Sequence, residues 1–164
     1  MVLTEMVSDK KLTGGCLCGQ VRYRINGHCR NIINCHCDNC RRTHGHVAAY
    51  TSVDKGDLEL LSKQSLKWYH DKDPNAYRGF CGNCGASLFW QAADLNHFIS
   101  NNTMSVAAGT LDCGHSLKTI GHVYVSEAGE YYKIEDELPQ FEASSNGKLD
   151  AKSKKPTIMS LEDS

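Results

Sequence analysis

Along the chain, apolar and polar positions fall into short alternating stretches broken by turn residues. In "QVRYRI", Val21, Tyr23 and Ile25 share one face and Gln20, Arg22 and Arg24 the other. That period of two marks a half-buried strand. "SLKWYH" alternates Leu66 and Trp68 in the same way. "HVAAYTSV", "YRGF", "ASLFW", "HFIS", "HVYV" and "YYKI" have strand length and are rich in β-branched or aromatic residues. "DKGD", "DKDPN", "DLN" and "EAG" supply turns between them. Only the residues after Cys37 suggest a short helical turn. The pattern predicts an all-β, mainly antiparallel fold of several short sheets with at most short helical turns.

The ends differ from this pattern. Residues 1–13 are polar and lack a period, so they are expected to form a flexible lead-in. From Ala143 the chain is rich in Ser, Lys, Asp and Asn, with few large apolar groups to offset the entropy of ordering. Residues 143–164 are therefore expected to be a disordered tail, whose "KSKK" reads as solvated charge. Residues 14–142 remain as one domain, large enough for a core and small enough to gain from a bound metal.

Charge excludes some functions. A formal net charge of −1 over 164 residues gives no general pull toward nucleic acid or an anionic membrane. No apolar run reaches transmembrane length. The opening "MVLTEMVSDKKL" lacks the basic end and apolar run of a secretory signal. A cytoplasmic or nuclear protein is expected, without membrane or nucleic-acid partners.

The nine cysteines carry the candidate chemistry. Nine is an odd count for a disulfide framework, and clustered cysteines in a reducing compartment point to metal or catalytic thiols. "CLCG" offers Cys16 and Cys18, and "CGNCG" offers Cys81 and Cys84. Two such pairs, each followed by a glycine that permits a tight turn, can close one tetrahedral zinc with four thiolates. A thioredoxin-like redox pair would need a βαβ setting that the pattern lacks.

"NCHCDNCRRTHG" holds a second set, Cys35, Cys37 and Cys40. A fourth ligand from His36, Asp38, His44, His46, His115 or His122 would make this a closed staple. Three protein ligands alone would leave a position for water or substrate. Three thiolates on one zinc leave a net charge of −1, which suits capture of sulfur better than activation of water. Arg41 and Arg42 follow at once, placed to offset that charge or to hold a substrate carboxylate. Cys29 and Cys113 are left over, and a free buried cysteine commonly behaves as a small apolar residue.

The ordered set "GGCLCGQVRY", "NCHCDNCRRTHG", "YRGFCGNCGASLFW", "AAGTLD", "HVYV" and "EDELPQF" resembles the glutathione-dependent formaldehyde-activating enzyme family, which includes centromere protein V. The resemblance runs from Gly14 to Phe141. It implies a zinc-binding β-tent fold with two zinc ions per chain. It assigns Cys16, Cys18, Cys81 and Cys84 to a structural zinc. It assigns Cys35, Cys37 and Cys40 to a catalytic zinc that accepts the sulfur of glutathione. The implied activity is that of a carbon–sulfur lyase: glutathione and formaldehyde are joined as S-hydroxymethylglutathione, or a related thiol and aldehyde are joined. The competing expectation is a non-catalytic, zinc-stapled module that binds protein or chromatin.

Overall fold

The computed structural model of the protein describes residues 11–73, 75–93 and 102–149. Its strands are β1 (Leu12–Gly15), β2 (Val21–Ile25), β3 (Ile32–Cys35), β4 (Ala48–Asp54), β5 (Leu58–Lys63), β6 (Leu66–Lys72), β7 (Asn75–Cys81), β8 (Ser87–Ala92), β9 (Thr103–Ala107) and β10 (Thr119–Val123). One helix, α1 (Asp38–His44), lies between β3 and β4, and three single 3-10 turns complete the described elements. The fold is mostly strand, as the alternation predicts.

The strands form two sheets. The smaller has the order β1-β2-β5, and the larger β10-β3-β4-β9-β8-β7-β6. All pairs are antiparallel except β10 with β3, which run parallel. The inward face of β2 buries Val21, Tyr23 and Ile25, whose exposure is 0%, 0% and 1%. They pack with Val53, Leu88, Phe89 and Val106 of the larger sheet, so the main core lies between the sheets. Tyr23 and Phe89 meet edge to face at 5.4 Å. Strand alternation gives β4 two duties. Val53 enters the main core, while Ala48 and Tyr50 pack with Cys40 in a second cluster.

Several expectations change. "HFIS" lies outside the described residues. "YYKI" is not a strand: it is irregular chain held by its side chains, with Tyr131 bonded to His46 and Tyr132 to His36. "HVYV" ends as a strand at Val123, because Tyr124 turns into the left-handed region at φ 56. The lead-in gives way earlier than expected, since Leu12 already pairs with Ile25.

The packed chain also runs past 142. Tyr124 N–H donates to the Ala143 carbonyl, and Leu149 is 1% exposed. Leu149 lies directly over Gly121, where an added Cβ would sit 2.9 Å from its methyl groups. A single leucine in a polar stretch carries no period, so this anchor was invisible to pattern analysis. Residues 150–164 of the expected tail lie outside the described residues.

Candidate metal centre

The first thiol cluster joins the two sheets. Cys16 and Cys18 come from the β1–β2 loop, and Cys81 and Cys84 from the β7–β8 turn. Their four sulfurs lie within 4.8 Å of one another. The two loops use similar local chemistry. Cys16 N–H donates to the Val21 carbonyl, and Cys81 N–H to the Ala86 carbonyl. Gly19 and Gly85 follow the second cysteine of each pair at φ 79 and 77, the left-handed conformation that glycine adopts without strain.

The thiol acidities differ with their surroundings. The Asn83 side chain and the Gln20 backbone hydrogen bond to the Cys18 sulfur and lower its pKa to about 6. The Ala86 and Cys18 backbone groups lower that of Cys84. Burial pushes Cys81 up to about 11. Four sulfurs around one tetrahedral zinc, at Zn–S of about 2.3 Å, would lie about 3.8 Å apart. Cys18 Sγ is 3.6 Å from Cys16 Sγ and 3.7 Å from Cys81 Sγ, so this donor set fits the ion.

The second cluster gathers around the start of α1. β3 ends at Cys35, Cys37 is the N-cap, and Cys40 lies buried one turn on. Cys37 Sγ accepts the Cys40 N–H at 3.3 Å, which meets one of the free donors of the first turn. Gly45 ends the helix at φ 76. The three sulfurs also lie within 4.8 Å of one another. Hydrogen bonds from Cys35 and Cys37, helped by Arg78, hold the Cys40 thiol far below its usual range. Cys35, which shares those bonds, is pushed up. A soft, partly ionised sulfur set of this kind fits zinc.

Among the described residues, no imidazole or carboxylate joins these three sulfurs within 4.8 Å. The candidate fourth ligands are engaged elsewhere. His44 Nε2 meets the Tyr50 hydroxyl at 2.6 Å, and His46 Nδ1 meets the Tyr131 hydroxyl at 2.7 Å. Asp38 is held by Arg41 and Arg42 at 2.8 and 2.7 Å. His36 uses both ring nitrogens, Nδ1 to Tyr132 and Nε2 to His122 Nδ1, at 2.5 and 2.9 Å. His122 Nε2 meets both Asp136 carboxylate oxygens at 3.0 Å. His115 and Cys113 belong to neither cluster, and Cys29 sits in the main core, its thiol pushed up to about 11 by burial.

The His36 chain ends on Asp136. Burial works to raise the Asp136 pKa, but the Leu138 N–H and His122 outweigh it, so the group is a carboxylate and can only accept. His122 therefore donates from Nε2. His122 Nδ1 and His36 Nε2 share a hydrogen bond, and His36 Nδ1 in turn bonds to the Tyr132 hydroxyl. The chain pins residues 132–136 against the Cys35-His36-Cys37 turn.

Sequence reasoning missed Arg78 and Asp71. Arg78 is 6% exposed and directs Nη1 at Cys40 Sγ, 3.6 Å away, while its Nε donates to Asp71 at 2.9 Å. Asn39 of α1 also donates to Asp71, at 3.1 Å. Burial opposes the Arg78 charge, but Cys40 and Asp71 more than restore it, and the pKa is raised. Arg78 also lines a cavity of about 310 Å³ with His44, Tyr50, Tyr69, Phe80 and Phe89. The signal was present only as an arginine inside an apolar strand, "YRGF".

His44 carries a pH prediction. Burial, then the Arg78 charge, lowers its pKa from 6.5 to about 4. The folded state thus holds His44 neutral, and its contribution is present above pH 6.5 and lost as the pH falls toward 4. The loss is on the order of 1–2 kcal/mol, discounted for part exposure. Urea melts at pH 7 and pH 4.5 should show a smaller acid loss in His44→Gln than in the parent. Equal losses would remove His44 from the acid limb.

Two sheets that meet at a four-thiol cluster, with a three-thiol cluster at a helix start, define a thiol-rich β domain whose clusters could hold metal. Residues 11–127 match the family described as glutathione-dependent formaldehyde-activating enzyme, and the chain belongs to that family. A crystal structure of a Rhodobacter sphaeroides protein is similar at 24% identity and a TM-score of 0.47, covering 63% of this chain and 91% of that one. No curated protein matches the chain significantly. Among the described residues no helix is long and apolar enough to cross a membrane.

Proposed function

We propose that the protein joins glutathione, or a closely related thiol, to formaldehyde at the Cys35, Cys37 and Cys40 site, with a second zinc at Cys16, Cys18, Cys81 and Cys84 serving the fold. The observation that carries this is the three-sulfur cluster, which gathers no fourth ligand from the described residues in a chain of this family. Zinc bound there supplies a position at which a thiol is held deprotonated at neutral pH. The reaction is an addition. The thiolate sulfur forms a bond to the formaldehyde carbon, the C=O π pair moves to oxygen, and that oxygen takes a proton to give the hydroxymethyl thioether. The reverse direction makes it a carbon–sulfur lyase.

The chain's own groups prepare the site. Cys37 caps the helix that carries Cys40, and the His36 chain holds the preceding turn. Tyr50, which packs with the cluster, is kept as a neutral phenol by burial, first, and by the nearby thiols. Among the described residues Arg41 Nε is buried without a hydrogen-bond partner, a donor that suits a carboxylate of the thiol substrate. Arg42 is spent on Asp38 and solvent. The reduced thiols this chemistry needs fit the cytosol or nucleus.

Zinc-edge X-ray absorption with and without glutathione tests the reading. Seven cysteine sulfurs, four plus three, over two ions average about 3.5 sulfurs per zinc. Capture of one thiol should raise this to about 4. An unchanged sulfur count sinks thiol capture. Turnover must exceed the spontaneous addition of thiol to formaldehyde, and a rate equal to it sinks the enzyme reading.

A further inference from the structure

We infer that Arg78 sets the ligand preference of the three-thiol site: its fixed positive charge at Cys40 makes that site favour an anionic thiolate over a neutral ligand. The inference rests on the thiol-capture reading above and adds a positioning residue outside the cysteine motifs.

The charge count states the problem. Three thiolates around a divalent ion sum to −1, and a fourth thiolate makes −2. In a partly buried site that second negative charge is costly unless a cation stands close by. Arg41 and Arg42 look suited by sequence, yet both turn to Asp38, and Arg42's side chain is 73% exposed, where water and salt screen it. His44 is neutral at pH 7.

Among the described residues Arg78 is the cation in direct contact. Its Nη1 points at Cys40 Sγ, and its burial leaves that contact little screened. Asp71 grips Nε, fixing the guanidinium plane while Nη1 faces the sulfur. Asn39 ties the same carboxylate back to α1. The arrangement has a second consequence. A thiolate that accepts a hydrogen bond gives less charge to a metal, so Cys40 leaves more room for an incoming sulfur donor. Arg78 also sits three residues before Cys81 on β7, so the strand anchored in the first cluster presents the charge to the second.

The test uses the full chain loaded with cobalt(II) at both sites, with metal content read in every sample. The probes are 2-mercaptoethanol, a thiol without carboxylates, and imidazole, a neutral ligand. Each is titrated while the sulfur-to-cobalt absorption and the ligand-field bands are followed. Arg78→Met should weaken thiol binding at least tenfold and change imidazole binding less than twofold. Equal effects on both probes, or none, overturn the inference.

If Arg78→Met does not fold or loses the second cobalt, Asp71→Asn decides. Its amide oxygen can still accept from Arg78 Nε while the opposing charge is gone, so thiol binding should strengthen severalfold relative to imidazole, and an unchanged or lower ratio overturns the inference. A parent protein that binds no thiol overturns the capture reading itself. That pattern is distinct from a parent that binds thiol and an Arg78→Met variant that binds it equally well.

Discussion

Cys81→Ala should abolish the cooperative unfolding transition, leaving a chain without the near-ultraviolet circular dichroism of packed aromatic residues. Cys81 is fully buried and lies in the main core beside Cys16, Val21, Tyr23 and Phe89. With Cys84 it faces Cys16 and Cys18 across the gap between the sheets. Structural zinc supplies about 10–16 kcal/mol to zinc-finger peptides. The net stability of a whole domain is only about 5–15 kcal/mol. With zinc at this cluster, as proposed, losing one of its four ligands threatens the entire margin.

Cavity formation alone would also destabilise, so a matched control is needed. Cys29→Ala removes the same atoms from the same core, where Cys29 is 7% exposed, but Cys29 belongs to neither cluster. That variant should lose only about 1 kcal/mol and keep its metal. A strong chelator should reproduce the Cys81→Ala state in the parent protein. Similar melting of the two alanine variants would show that the first cluster is not the tie between the sheets.

Much of this architecture was legible because its signals are local. β2 and β6 carry apolar residues in a period of two, β4, β7 and β8 carry aromatic or β-branched residues at strand length, and each appears. Four strands escaped notice: β3 ("IINC") and β9 ("TMSVA"), each only four or five residues long, and β1 and β5, whose chemistry is weaker. β1 is "LTGG", half glycine, and β5 is "LELLSK", whose Leu and Glu content favours helix as much as strand. Their assignment comes from pairing with β2, a tertiary fact. The seven clustered cysteines were legible because short spacings bring them together within each motif. Whether a histidine closes the second cluster was not, because His44 and His46 follow Cys40 so closely that either looks able to reach. Tyr50 and Tyr131, which take up those imidazoles, are six and 85 residues away. Arg78 and Asp71 were hidden for a related reason. Their pairing depends on the β6–β7 hairpin and on burial, neither of which a charge pattern encodes.

Cys40→Ser should lose the second metal while keeping the fold and the first metal, and its turnover should fall to the spontaneous rate. The substitution is close to isosteric. Its hydroxyl can still accept from Arg78 and fill most of the space that Cys40 occupies among Tyr50, Ala48 and Ala107. What it removes is the soft, readily ionised sulfur, the property that suits zinc. A serine hydroxyl at the same position does not ionise near neutral pH and is a poor ligand there. The buried Arg78 charge would then face a neutral partner, and without the thiolate to offset it that charge repels an incoming metal cation. Activity above background should drop by at least about 100-fold, a modest share of typical enzymatic acceleration. Metal content should fall from two ions per chain to one under the reading proposed here, with thermal unfolding still cooperative. The comparison with Cys81→Ala separates the two clusters: one variant loses the fold, the other only the chemistry. If Cys40→Ser turns over thiol and formaldehyde within twofold of the parent while holding a single metal, the three-thiol cluster is not where the reaction occurs.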